Sequence, residues 1–134
     1  MRNIAITYLM VLVVFTAVDF LWLGLVALDF YKKEIGPLML EKPRLEVAAL
    51  FYVLCAAGIT FLAVQPALTA GEWHKAVLFG ALFGLCAYGT YDLTNLSTLQ
   101  RWSFRLTLVD MAWGTFLTAI ASLAGFVAGR LAGA

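Results

Sequence analysis

Charge is scarce in this chain. Charged residues make up 13% of it and hydrophobic ones 63%, whereas soluble domains carry roughly a quarter charged residues. A water-soluble fold is therefore excluded. There is one histidine, and the two cysteines, Cys55 and Cys86, stand alone in apolar runs. Without paired Cys or His spacing, neither a disulfide framework nor a metal site is expected. A net charge of +1 leaves no basic field, so nucleic acid is excluded as a partner. The chain also lacks a glycine-rich phosphate loop and a nucleophile elbow, so nucleotide and common hydrolase chemistries have no support and no cofactor is expected. No residue is assigned a catalytic role, and whether the protein is an enzyme stays open.

Long apolar runs are what the chain has in their place, with a mean hydropathy of +0.93. A helix crosses a bilayer core in about 20 residues. Four runs meet that length, at 4–28, 45–64, 76–98 and 106–131. The predicted fold is all-α, a polytopic membrane bundle of four transmembrane helices forming a single domain over 1–134. Arg2 ahead of the first run gives it the look of a signal peptide, but the run is long and lacks a small-residue cleavage site, so it reads as a retained span. Between spans one and two, Lys32, Lys33, Glu34, Glu41, Lys42, Arg44 and Glu46 surround the apolar island 35–40. That mixture suits a short interfacial segment broken at Gly36 and Pro37. Pro66 is expected to help end the second span. Glu72, Trp73, His74 and Lys75 read as a headgroup-level anchor, with His74 interfacial rather than a ligand. Lys32, Lys33, Lys42, Arg44, Arg101 and Arg105 lie on one side against Arg2, Lys75 and Arg130 on the other. Because positive loops stay inside, this bias places both termini outside.

Three aspartates interrupt the apolar runs. Such a carboxyl costs roughly 2.5–3.5 kcal/mol at a helix centre, so each needs a role in packing or function. At 1.5 Å per residue, Asp19 lies roughly 14 Å from the end of its span and Asp110 about 7 Å from the start of its own. Asp92 is near the end of the third. Up-down connectivity puts all three on one side of the bilayer, which favours a shared polar pocket between spans one, three and four. In the third span Gly80, Gly84, Tyr88 and Asp92 recur every four residues, and Asn95 follows on the same face. Gly80 with Gly84, and Gly125 with Gly129, are small-residue pairs that let helices approach closely, although glycine is also common in membrane helices.

Spans one and four share a pattern, Thr16-Ala-Val-Asp19-Phe-Leu-Trp22 and Thr107-Leu-Val-Asp110-Met-Ala-Trp113, with Gly24 and Gly114 soon after. As these spans run in opposite directions, the match suggests inverted internal symmetry. Each tryptophan is three residues beyond its aspartate, on the same helical face. Rings beside carboxylates can cage a cation or wall an isoprenoid or acyl chain. Two other readings stand: Trp22 is a belt residue, and Arg101 and Arg105 neutralise Asp92 or Asp110 as interhelical glue.

Three segments carry a resemblance over most of the chain: Val18-Asp19-Phe-Leu-Trp22-Leu-Gly24, Tyr91-Asp92-Leu-Thr-Asn95 and Val109-Asp110-Met-Ala-Trp113-Gly114. With them the sequence resembles DUF2177, a bacterial family of four-helix membrane proteins of unknown function. The resemblance implies a bacterial inner (plasma) membrane and, through fatty-acid-modifying enzymes encoded near similar proteins, a link to lipid modification. The resulting expectation is a membrane protein that binds a lipid-like or small ligand through Asp19, Trp22, Tyr88, Tyr91, Asp92, Asn95, Asp110 and Trp113. The alternatives are a proton- or cation-coupled transporter and an accessory subunit of a membrane complex. Membrane lipids are expected partners, and a homo-oligomer suits so small a bundle.

Overall fold

The computed structural model describes residues 2–133; the side chain of Arg2, counted above on the terminal side, lies outside what is described. Helix α1 spans Arg2–Leu21 and continues as one wide π turn over Trp22–Val26. A short helix α2, Leu28–Ile35, follows and passes into a 3-10 turn at Gly36–Leu38. Helix α3, Leu45–Ile59, runs through a second π turn, Thr60–Val64, into α4, Gln65–Ala70. Helices α5, Trp73–Thr98, and α6, Phe104–Gly133, complete the chain. Four stretches are long and apolar enough to cross a membrane: Ile4–Val26, Leu45–Ala70, Trp73–Thr98 and Phe104–Gly133. Inside a bilayer each backbone polar group must be satisfied within its own helix, which is why the apolar runs appear as continuous helices.

The ends of the spans differ from those read in the sequence, for local reasons. The first closes at Val26 rather than Leu28, because the Ala27 N–H reaches back to the Trp22 carbonyl at 2.8 Å and the chain then turns into α2. Pro66 does not end the second span. The π turn before it pairs the Gln65 N–H with the Thr60 carbonyl, resetting the register so that Pro66 falls in the first turn of α4, where its missing N–H is not needed. The span ends at Gly71, whose φ of 71° is readily adopted only by glycine. Its N–H and that of Glu72 return to the Leu68 and Ala67 carbonyls, the double closure of a Schellman motif. Trp73, His74 and Lys75 then form the first turn of α5, and His74 and Lys75 pair with Glu72 at 3.3 and 3.4 Å. Helix α6 starts at Phe104, earlier than expected, because the Ser103 hydroxyl accepts the Leu106 N–H at 3.0 Å as an N-cap. The same hydroxyl donates to Glu34 and ties α2 to the foot of α6.

Small residues set the packing. A Cβ on Gly84 would collide with the Gly114 backbone and the Thr118 hydroxyl, and one on Gly80 with Ser122 and the Thr118 carbonyl. Thr118 donates across this seam to the Gly80 carbonyl at 2.6 Å, and within α6 to that of Gly114 at 2.8 Å. Gly125 and Gly129 receive Val11 and Thr7 of α1. Both glycine pairs therefore sit at helix contacts, as close approach requires. Val11, Phe15, Ile59 and Leu117 are fully buried, while Leu9, Val13, Leu54, Leu62, Leu78 and Leu131 point outward, the distribution expected of a bundle whose exterior meets hydrocarbon.

Candidate functional site

Asp19 lies about 10 Å from the end of the first span, seven residues at the helical rise, and is 6% exposed. Both oxygens have donors: the Tyr52 hydroxyl gives its proton to Oδ2 at 2.6 Å and the Trp113 indole to Oδ1 at 2.8 Å. Hydrogen bonds to a carboxylate are stronger than those between neutral groups, so Asp19 ties together spans one, two and four.

The matching aspartate of span four is held differently. Trp22 donates to the Tyr31 hydroxyl at 3.1 Å, and Tyr31 donates to Asp110 Oδ1 at 2.7 Å. Burial, and then the Asp110 carboxylate, push the Tyr31 phenol above its usual range, which keeps it a donor. Trp22 and Trp113 lie face to face, with ring centroids 4.4 Å apart and planes inclined by 10°. The two Asp-x-x-Trp copies thus exchange partners across antiparallel helices. Three residues are about 4.5 Å of rise, so antiparallel alignment brings Trp113 level with Asp19 and Trp22 level with Asp110.

Asp92 is 0% exposed, and neither of its oxygens has a hydrogen-bond donor. Its carboxyl faces that of Asp110 across the α5–α6 seam. No arginine neutralises either group: among the described residues the ion pairs involve Glu72 alone, and Arg101 and Arg105 are exposed. The arginine-glue reading is therefore set aside. The phenyl ring of Tyr88 occupies the space that a side chain on Gly114 would take, whereas a Cβ on Gly24 would meet nothing; the two glycines of the repeat are not equivalent.

These groups surround a cleft of about 560 Å³. Asp19, Asp110, Tyr31 and Tyr52 give it polar points, Phe51, Tyr88, Tyr91 and Trp113 give it aromatic walls, and Leu23, Ala48 and Ala87 complete the lining. Of the residues singled out in the sequence, Asp19, Tyr88, Tyr91, Asp110 and Trp113 line it. Trp22 and Asp92 stand behind the lining. Asn95 does not join them: it is half-buried at the end of α5, where its carbonyl accepts the Leu99 N–H at 2.9 Å. Tyr31 and Tyr52 were not anticipated, and they bring the second span and α2 into a site expected from spans one, three and four. Among the described residues no three His, Cys, Asp or Glu side chains gather as a metal site. A family model described as "Predicted membrane protein (DUF2177)" matches residues 4–127. No curated protein and no solved structure matches the chain.

Proposed function

The chain belongs to the DUF2177 family of predicted membrane proteins, and for it we propose the binding of a lipid-like ligand in the cleft between its four spans, in the service of lipid modification. The observation that carries this reading is the lining itself: two carboxyls held in place by Tyr52, Trp113 and Tyr31, set among aromatic walls. A mostly apolar cavity with a few positioned polar groups is the usual form of a small-molecule site, and intramembrane carboxyls mark ligand and ion sites. Asp19 and Asp110 orient the ligand's polar end; Tyr88, Tyr91 and Trp113 bound it. In this reading the half of the bundle that holds the cleft faces the cytoplasm across a bacterial inner membrane, an orientation that the charge bias of the connections supports. Native mass spectrometry of the gently purified protein tests the reading. A defined co-purifying small molecule, lost in Asp19→Asn, is expected; equal retention by the variant removes Asp19 from the site.

One observation favours a second reading, proton-coupled transport. Two carboxyls that face one another with no cation between them can hold a single proton, and Asp92 and Asp110 are so placed. In liposomes such a protein would drive flux along a pH gradient. Flux indifferent to the gradient rejects coupling.

A further inference from the structure

The cleft has an apolar neighbour. Ala48 and Tyr52 line it and also line a hollow of about 650 Å³ between α1 and α3. Apart from Thr16, that hollow is walled by apolar side chains and the Tyr52 ring, with Leu12, Ala17, Phe20 and Ala49 among them. Tyr52 stands at the junction, giving its hydroxyl to Asp19 on the polar side. A molecule with its head in the cleft and a hydrocarbon tail would follow this path.

The charge of the cleft selects the head. No lysine or arginine lines it. A carboxylate offers about four acceptor sites; Asp19 receives two donors and Asp110 one. The site thus carries more acceptor capacity than the chain fills, beside the rings of Phe51, Tyr88 and Trp113. A phosphate head would be repelled by these carboxylates and would find no donor cluster. An ammonium supplies three donors and a positive charge, and aromatic faces attract it further.

Building on the ligand-binding reading above, we infer that the cleft and the α1–α3 groove form one site for a long-chain amine, with the ammonium head between Asp19 and Asp110 and the hydrocarbon tail along the groove. The head is fixed by charge and the tail by burial.

The test uses the full chain in phosphatidylcholine nanodiscs, with saturable binding counted above protein-free discs for dodecylamine, dodecanol, dodecyl phosphate and butylamine. Dodecylamine is expected to bind at least about tenfold more tightly than dodecanol, from the charge-assisted hydrogen bonds, and dodecyl phosphate not to bind. Ala17→Phe and Ala49→Phe fill the groove from exposed positions that do not line the cleft. Each should weaken dodecylamine roughly tenfold by removing apolar contact and leave butylamine unchanged. Dodecanol or dodecyl phosphate binding as well as dodecylamine overturns the ammonium head. Dodecylamine binding unaltered in both filled variants overturns the tail's place and leaves the cleft reading standing. Binding of none of the four overturns both.

Discussion

Trp113 gives its indole proton to Asp19 at 2.8 Å across 94 positions of sequence, although Trp22 sits only three residues from that aspartate on the same helix. The antiparallel crossing of two similar segments makes the distant tryptophan the partner, and the stacked pair Trp22–Trp113 marks where the copies meet. A sequence repeat has become a bond between the first and last spans.

Removing either end of that bond leaves a largely buried polar group short of a partner. Asp19→Ala and Trp113→Phe should each lower unfolding stability in mixed micelles by about 1–3 kcal/mol. Because both changes remove one interaction, the double variant should lose less than the sum. Strict additivity would show that the two side chains are not coupled.

Glycine matters at the α5–α6 seam and not at Gly24 in the π turn of the first span. Gly84→Ala must push α6 away, since its Cβ meets the Gly114 backbone, and should cost about 1–3 kcal/mol as overpacking does. Gly24→Ala meets nothing and should stay within about 0.5 kcal/mol of the parent. Equal losses in the two variants would contradict the close α5–α6 contact.

An amide suits position 92. In Asp92→Asn the amide can donate to the neighbouring Asp110 carboxyl, where the native oxygens have no hydrogen-bond partner. Unfolding stability should be unchanged or rise by up to about 1 kcal/mol. A marked loss would mean that Asp92 is held by an interaction other than its approach to Asp110.

Tyr31 sets an alkaline limit. Its phenol is shifted upward by burial and then by Asp110, so the folded protein keeps this proton after the unfolded chain releases it near pH 10. The stability it contributes is complete below that value and is lost as the pH rises beyond it. Tyr31→Phe should therefore flatten the loss of stability above pH of about 10 in an unfolding series; an unchanged slope would contradict the assignment.

The four spans were legible because hydrocarbon thickness demands long apolar runs and this chain has four of them. Their ends were not, because Pro66 is absorbed by a π turn and Gly71 supplies the stop, details that hydropathy does not register. Asp19, Asp110 and Trp113 were visible as polar or amphipathic interruptions on the same side. Tyr52 was not, since a phenol in an apolar run scarcely lowers hydropathy, and its value lies in reaching Asp19 from another helix. Tyr31 stood in a charged connection that reads as surface until α2 folds back against α6. Asn95 extended a real stripe by one step, but it lies at the end of α5 and is not among the residues that line the cleft.

The measurement that bears most directly on a ligand in the cleft is site-specific photocrosslinking in the native membrane, with a photoreactive residue at Leu23 or Ala87 in the lining and at Ala5, in a separate outer hollow, as control. Adducts of one defined mass from positions 23 and 87 and not from position 5 are the predicted result. The same spread of bulk-lipid adducts from all three positions would contradict a ligand site in the cleft.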